Sequence, residues 1–302
     1  MPQPITIFRG TMGLNNVIDP ARIVFDPRSG MIDLAAGYNV DIDDTGRPGR
    51  RKGFTSVLGS NSHSLYGWGG SYALFVTGDA LSVLHADYTA TEIRNVREGA
   101  RMSYAEVAGS VYYANNHEKG VVKDEISYEW VDEDYIGPTT HKVFYDPPIG
   151  HLLEQWNGRM LVAKDDVVWY SEPFAYGRFR KASNYIPLSS RARMVKGVKG
   201  GVFTSDETAT YFHPGQDAAG LGSVKVADYP AIEGTEKVIS GSKIGSGGIT
   251  DRCVIWTSTK GICLGGPEGF FKNLTERRLT YPIAIRGTGY DFGNRYVCTL
   301  EP

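Results

Sequence analysis

The amino-acid sequence predicts an all-β protein built as a β-propeller. Five stretches each contain two apolar runs on either side of a polar turn, a pattern typical of antiparallel hairpins. The turns are centred near Asp79, Glu118, Asp165, Asp206 and Lys260, so they recur at steps of 39, 47, 41 and 54 residues. This is the spacing of propeller blades. No apolar stripe with the helical period of about 3.6 residues competes with it.

The two ends of the chain are predicted to close the ring of blades. Residues 1–50 are interrupted repeatedly by glycine and proline, so we expect an extended N-terminal arm with short strands at Ile5–Phe8, Arg22–Phe25 and Met31–Leu34. The last apolar run, Arg295–Leu300, has the pattern of one strand of a blade. Pairing it with an N-terminal strand would remove exposed edges.

The predicted blade number is six, given by five hairpins and one composite blade at the chain ends. Five or seven blades remain open, because the step of 54 residues has room for another strand. Residues 51–302 would form the propeller, with the whole chain as one domain. Two long connections, Asp124–Pro148 and Pro214–Gly248, are expected to project as loops and to make contacts.

Composition limits the function classes. The chain has 302 residues and a formal net charge of −2, so no overall field recruits nucleic acid or an anionic membrane. We expect no signal peptide and no membrane span. The three cysteines argue against a disulfide framework. Cys253 and Cys263 flank one hairpin and could face each other, but we expect two small buried thiols.

Residue patterns predict no catalytic, cofactor or metal site, and we do not expect an enzyme. None of the six histidines has metal-ligand spacing, and all six are expected on the surface or in loops. A nucleophile elbow and a phosphate-binding loop are both missing. Asp41–Gly46 matches the first half of a calcium loop, but Lys52 stands where the bidentate glutamate is needed. We therefore expect a turn that pairs with its own basic neighbours.

Five segments, in order along nearly the whole chain, carry a resemblance to a known family. They are Gly13–Ile23, Asn39–Phe54 (N-V-D-I-D-D-T-G-R-P-G-R-R-K-G-F), Val167–Phe174, Met194–Phe203 and Trp256–Glu276. Together they resemble the virion β-propeller proteins of tailed phages and prophages, described as tail accessory, nozzle, hub or stabilisation proteins.

This resemblance implies a structural protein of the virion tail, assembled in the host cytoplasm. It implies a homo-oligomeric ring that binds neighbouring tail or portal and adaptor proteins and takes part in phage assembly and genome ejection. DNA would pass through such a ring without specific recognition. The family supplies no catalytic residues. The alternative is a propeller that binds or cleaves host surface glycans, which a cluster of aromatic and acidic side chains at one propeller mouth would favour.

Two patches of opposite charge also suit an assembling protein. Six carboxylates lie within residues 124–134, and seven cations lie within residues 178–199. A head-to-tail ring needs both signs on one chain, because each subunit offers one patch and receives the other. In the competing interpretation the two are solvated loops that never meet. The predicted interface residues are Asp132, Glu133, Asp134, Arg178, Arg180, Lys181, Arg191 and Arg193.

Overall fold

The structure is a computed structural model that describes residues 10–58, 61–67, 69, 71–132, 143–215, 222–244, 250–292 and 295–301. These residues form 27 β-strands and three short 3-10 turns, and this described part of the chain contains no α-helix. The all-β prediction is confirmed. The 3-10 turns are Pro20–Arg22, Gly241–Ile244 and Pro267–Gly269.

Four strands belong to the N-terminal arm. Strands β1 (Gly10–Leu14) and β2 (Met31–Leu34) pair in parallel. Strands β3 (Val40–Ile42) and β4 (Pro48–Arg50) form an antiparallel hairpin. β2 matches a predicted strand, whereas Ile5–Phe8 lies outside the described residues.

The β3–β4 turn forms as the sequence predicts. Asp43 Oδ1 accepts hydrogen bonds from the amides of Thr45 at 2.8 Å and Arg47 at 3.0 Å, which fixes the turn. The Asp41 carboxylate lies 3.6 Å from Arg51 Nε. The Asp/Gly motif therefore pairs with its own basic neighbours, and this prediction is confirmed.

Five antiparallel sheets follow, each built around four strands in chain order. Sheet 1 contains β5 (Ser62–Tyr66), β6 (Ala73–Thr77), β7 (Ala80–Leu84) and β8 (Ala90–Asn95). Sheet 2 contains β9 (Ser103–Val107), β10 (Ser110–Ala114), β11 (Lys119–Lys123) and β12 (Ile126–Tyr128). Sheet 3 contains β13 (Leu152–Trp156), β14 (Arg159–Lys164), β15 (Val167–Glu172) and β16 (Ala175–Phe179), and β17 (Tyr185–Pro187) also pairs with β15.

The last sheets complete the chain. Sheet 4 contains β18 (Met194–Val198), β19 (Gly201–Ser205), β20 (Thr210–Pro214) and β21 (Val224–Ala227). Sheet 5 contains β22 (Lys237–Ser240), β23 (Arg252–Ser258), β24 (Gly261–Gly265) and β25 (Phe271–Asn273). Sheet 6 is the two-stranded pair of β26 (Arg286–Phe292) and β27 (Arg295–Glu301).

Apolar side chains pack between successive sheets. The cluster between sheets 3 and 4, for example, combines Leu161 and Tyr170 of sheet 3 with Val202 of sheet 4. Equivalent clusters join sheets 1 and 2, 2 and 3, and 4 and 5, and a smaller cluster in sheet 5 includes Tyr296 of sheet 6. Four-stranded sheets that pack face to face in chain order make a β-propeller-like fold.

All five predicted hairpins are confirmed, and each forms the two middle strands of its sheet. They are β6–β7, β10–β11, β14–β15, β19–β20 and β23–β24. A middle strand has a strand on both sides and packed sheets above and below, so its sequence is a short continuous apolar run. This is why these strands stand out in the sequence.

Three segments outside the predicted hairpins differ from the sequence prediction. Arg22–Phe25 is not a strand, because the Asp19 carboxylate accepts the Ala21 amide at 2.9 Å and caps the 3-10 turn that ends at Arg22. The two long connections are not wholly loops. The first contains β12, and the second contains β21 and β22.

Ring closure also differs from the predicted composite blade. β27 pairs with β26, from Arg286 opposite Glu301 to Phe292 opposite Arg295, and no N-terminal strand of the described chain joins this sheet. Pairing with a strand nearby in sequence closes a much shorter loop than pairing with the other end of the chain. The ends still meet through side chains, since Arg295 Nη1 lies 3.4 Å from the Asp41 carboxylate.

The cysteines are buried or half-buried and free. Cys263 stands opposite Trp256 in the β23–β24 register, and Cys253 stands opposite Ile239 of β22. The two thiols therefore do not face each other across the hairpin, and the prediction of small buried side chains is confirmed.

Two of the five histidines in the described residues are buried, contrary to the expectation for surface or loop positions. They are His151 and His213. His213 Nε2 lies 2.8 Å from Thr204 Oγ1, and Nδ1 lies 3.2 Å from the carbonyl oxygen of Gly222, so Nδ1 is the nitrogen that donates. Burial lowers the pKa of His213 to about 4. It is a neutral core residue at neutral pH.

Candidate functional site

The predicted charge patches meet within one chain. Arg178 Nε on β16 lies 3.2 Å from the Asp132 carboxylate, and that carboxylate is only 3% exposed. The competing interpretation of two loops that never meet is therefore wrong at this point. Glu133 and Asp134 lie outside the described residues.

The predicted basic interface residues also make contacts within their own chain. The guanidinium groups of Arg178 and Arg180 lie 5.2 Å and 4.9 Å from the centre of the Phe144 ring. Lys181 Nζ lies 5.1 Å from the centre of the Tyr145 ring. These are cation–π contacts, which hold the side chains against the surface.

The remaining two predicted cations are ion-paired with neighbouring elements. Arg191 pairs with Glu233, and Arg193 Nη2 lies 3.8 Å from the Glu207 carboxylate. Each of the six described interface candidates therefore has a partner in its own chain. Their role in a contact between subunits stays a prediction.

A charged network near the centre of the sheets is the feature that sequence reasoning missed. Glu154 on β13 is 5% exposed and accepts a hydrogen bond from Lys196 Nζ on β18 at 2.8 Å. Arg252, the first residue of β23, pairs with the other carboxylate oxygen. Burial lowers the pKa of Lys196, but the charges of Glu154 and Glu236 and the hydrogen bond to Glu154 together outweigh it, so the pKa is raised.

This network lies where several sheets converge. Burial raises the pKa of Tyr66, on the first strand of sheet 1, to about 12, and the charges of Glu154 and Arg252 also act on it. One carboxylate thus joins sheets 3, 4 and 5 and faces sheet 1. A glutamate within the apolar run L-L-E-Q-W of β13 was the available signal, since a buried charge requires a partner.

Sheet 6 is joined to the rest of the ring by a polar contact. Arg101, which precedes β9, donates from Nη2 to the carbonyl oxygen of Gly287 at 2.7 Å and to Thr288 Oγ1 at 2.9 Å. Both acceptors lie on β26. We call this the Arg101 seam.

Exposed apolar side chains are concentrated near the two ends of the chain. Tyr38 is 90% exposed, Phe54 is 97% exposed and Ile283 is 85% exposed. Of the six large apolar side chains that are more than two thirds exposed in the described chain, five lie in the N-terminal arm, the segment just after it, or the region of sheet 6. These five are Val24, Tyr38, Phe54, Ile283 and Phe292, and the sixth is Phe174. We call the five the terminal apolar surface.

A groove lies between sheets 2 and 3, lined by aromatic and charged side chains. The rings of Tyr112 and Trp130 meet edge to face with centres 5.1 Å apart, and Tyr176 lies beside Tyr112 at 6.2 Å. Glu129 and Asp132 also line it. The groove is formed by residues of β10, β11 and β16 and by the segment that follows β12, rather than by the first strands of the sheets.

Metal and membrane features are lacking in the described residues. No group of three or more His, Cys, Asp or Glu side chains in these ranges is placed to hold a metal ion. None of the helical turns described is long and apolar enough to cross a membrane.

Comparison with known proteins adds support for the fold. No protein-family model matches the sequence, and no curated protein matches it significantly. The extracellular domain of a B. thetaiotaomicron protein named as a one-component system is similar with a TM-score of 0.50 at 8% identity, covering 82% of this chain and 33% of that one. This chain therefore spans about a third of the length of that protein chain.

Two further solved structures are more distant. BBS1N, in complex with ARL6DN, has a TM-score of 0.49 at 8% identity, with 76% of this chain and 71% of that chain covered. Virginiamycin B lyase from Staphylococcus aureus has a TM-score of 0.46 at 11% identity, with 76% and 73% covered. These two comparisons carry no argument about this chain, and its function must be argued from surfaces and sites.

Proposed function

We propose that this protein is a structural component of the tail of a tailed phage, repeated as a ring and held by protein–protein contacts. The ordered sequence resemblance to virion propeller proteins supports the proposal, and the β-propeller-like fold agrees with it. In this role the protein works by surface complementarity and not by catalysis. It contacts copies of itself and neighbouring tail, portal or adaptor proteins, and it acts in the virion after assembly in the host cytoplasm.

The terminal apolar surface is the observation that carries this proposal. Single exposed apolar residues are common on monomers, but a concentration of large ones in one part of a chain favours a surface that another protein covers. The arm and sheet 6, which carry most of these side chains, are in contact through the ion pair of Asp41 on β3 and Arg295 on β27, 3.4 Å apart. Aromatic side chains such as Tyr38 and Phe54 are typical anchors of protein interfaces.

Substitution of the terminal apolar surface tests the proposal. In native mass spectrometry of the purified chain, we expect closed oligomers for the wild type and mainly monomers for Phe54→Ser with Ile283→Ser. Both side chains are almost fully exposed, so the variant should unfold at the wild-type temperature. Phe174→Ser, which removes an exposed aromatic elsewhere, is the matched control and should assemble normally.

A wild-type chain that stays monomeric at high concentration, alone and with its neighbouring tail proteins, would contradict the proposal. Equal loss of assembly in the Phe174 control would also contradict it, because general surface hydrophobicity would then explain the effect.

The groove between sheets 2 and 3 favours glycan binding as a second candidate function. Aromatic faces such as that of Tyr176, beside the Glu129 carboxylate, suit a sugar ring and its hydroxyl groups. In titration calorimetry with host surface polysaccharide, Tyr176→Ala should then weaken binding, while Tyr38→Ala should not. Absence of any wild-type binding would eliminate this candidate.

A further inference from the structure

The N-terminal arm, residues 10–50 of the described chain, is docked without an apolar core. None of the five apolar clusters contains a residue of this range, and no large apolar side chain within it is buried. Met12, Val24 and Tyr38 are among those that stay exposed. Burial of apolar surface is the main favourable term in folding and association, so the position of the arm depends on its polar contacts.

Most of these polar contacts form at residues 278–280, which follow sheet 5 and which we call the arm socket. Asn16 donates its amide to the carbonyl oxygen of Arg278 at 2.9 Å and its Nδ2 to that of Thr280 at 2.9 Å, and its Oδ1 accepts the Thr280 amide at 2.9 Å. The guanidinium of Arg278 pairs with the carboxylate of Asp33, which is only 15% exposed. Directed polar contacts therefore hold the arm on one short segment.

The segment that joins the arm to sheet 1 is an exposed tether. Residues 51–57 are exposed, and residues 51–58 belong to no strand. Ser56 Oγ donates to the carbonyl oxygen of Leu58 at 2.8 Å, and within the described chain residues 52–58 form no hydrogen bond with a sheet. Seven residues reach up to about 25 Å when extended, so the tether allows the arm to dock away from its own socket.

The ion pairs of the arm have a fixed direction of charge. The arm supplies the carboxylate in each, from Asp33 to Arg278 of the arm socket and from Asp41 to Arg295 of sheet 6. Opposite charges favour contact between an arm and a socket, whereas two arms or two sockets would bring like charges together. A second copy of the chain offers the same socket, so every neighbour carries a surface that is complementary to the arm.

We propose that each arm docks in the arm socket of the neighbouring subunit, an inference that rests on the proposed ring and adds the contact that links its subunits. In the neighbour's socket the arm makes the same hydrogen bonds and the same Asp33–Arg278 ion pair, so the exchange loses no specific contact. Each subunit then offers an arm on one side and receives an arm on the other. This is a head-to-tail contact, the kind that closes a ring.

Mixing two charge-reversed chains distinguishes exchange from docking within one chain. Asp33→Arg and Arg278→Asp each place like charges together wherever the arm docks, so each variant alone should lose closed oligomers by about tenfold or more in native mass spectrometry. In an equimolar mixture, exchange places the arm of each variant in the socket of the other, where the charges are again opposite. We therefore expect the mixture to recover closed oligomers that contain both chains.

Two further variants serve as control and second measurement. Asp33→Arg with Arg278→Asp in one chain keeps opposite charges in either arrangement and should assemble. For cross-linking, Val17→Cys and Arg277→Cys are combined in one chain with Cys298→Ser, because both positions are exposed and adjoin the bonded Asn16 and Arg278. With a bismaleimide cross-linker, exchange should give covalently linked series of subunits.

Closed wild-type oligomers without recovery in the mixture, while the doubly reversed chain assembles, would overturn the exchange and leave the ring intact. If the doubly reversed chain does not assemble, cross-linking decides the matter, and oligomers that yield only internally linked single chains would overturn the exchange. A wild-type chain that forms no oligomer at all would instead contradict the proposed ring, and the exchange with it.

Discussion

Glu154 shows how a single residue can join several sheets. Its carboxylate binds Lys196 and Arg252 from two other sheets while being almost fully buried. Neither partner could be assigned from sequence, because they lie 42 and 98 residues away and no local pattern links them. The same holds for His213, whose burial depends on how sheet 4 packs and not on its neighbours in the chain.

Replacing Glu154 by Gln should destabilise the fold strongly. The change leaves Lys196 in a buried position without its counter-charge, which costs about 3–5 kcal/mol of unfolding free energy. Urea unfolding measures this value. Glu301→Gln is the matched control, because Glu301 pairs with Arg286 at the exposed edge of sheet 6 and should lose less than about 1 kcal/mol. Equal effects of the two changes would refute a special role for Glu154.

His213 should make stability depend on pH. Its pKa is about 4 in the folded chain and 6.5 in the unfolded chain, so between these values only the unfolded chain binds the proton. Stability is therefore complete above pH 6.5 and falls as the pH drops toward 4, by about 3 kcal/mol from this group. Urea unfolding across this range should show a smaller fall for His213→Gln. Parallel curves would contradict the assignment.

At the scale of elements, the middle strands were predictable and the flanking strands were not. β14 and β15 are long apolar runs joined by the Asp165-Asp166 turn, so local sequence identifies them. β12 and β22 are short flanking strands, and β22 contains Lys237 and Ser240. A flanking strand meets solvent or the charged network on one side, so its sequence includes polar residues. Such strands form because a middle strand is available for pairing.

Gly289 on β26 is needed for sheet 6 to seat against sheet 5. A Cβ atom at this position would lie 2.0 Å from the carbonyl oxygen of Thr235. Gly289→Ala should therefore push the strand away and cost about 1–3 kcal/mol. Thermal unfolding is the measurement, with Gly37→Ala as the control because a Cβ there meets no atom within 4 Å. An unchanged melting temperature for Gly289→Ala would show that the two sheets are not packed this closely.

At the scale of the whole molecule, an arginine after sheet 5 makes several contacts with the N-terminal arm. Arg278 pairs with Asp33 on β2 and donates to the carbonyl oxygen of Met12 at 3.0 Å, and its own carbonyl accepts the Asn16 amide at 2.9 Å. The sequence predicted an arm that reaches the far end of the chain, but it could not predict a side-chain contact in place of strand pairing.

Arg278→Ala should release the arm and leave the sheets folded. Chymotrypsin should then cleave after Phe25 and Tyr38 faster than in the wild type, while fragments from sheets 2 to 5 stay protected. The exposed neighbour Arg277 provides the control, since Arg277→Ala should be cleaved at the wild-type rate. Unchanged cleavage in Arg278→Ala would mean that other contacts hold the arm.

The charge patches alter how a ring contact should be tested. Reversing the charge of Arg191 would break its pair with Glu233 inside the chain. A loss of assembly could then result either from a destabilised fold or from a lost contact between subunits. The terminal apolar surface avoids this difficulty, because its side chains are largely exposed and replacing them should change the stability of the monomer little.

Quantitative mass spectrometry of purified virions tests the proposed role most directly. The virions should come from the phage or prophage that encodes this chain. We expect the chain in every preparation, in several copies per particle and in a fixed ratio to the other tail proteins. Absence from the particles, with the chain present only in the lysed host cells, would contradict a structural role in the tail.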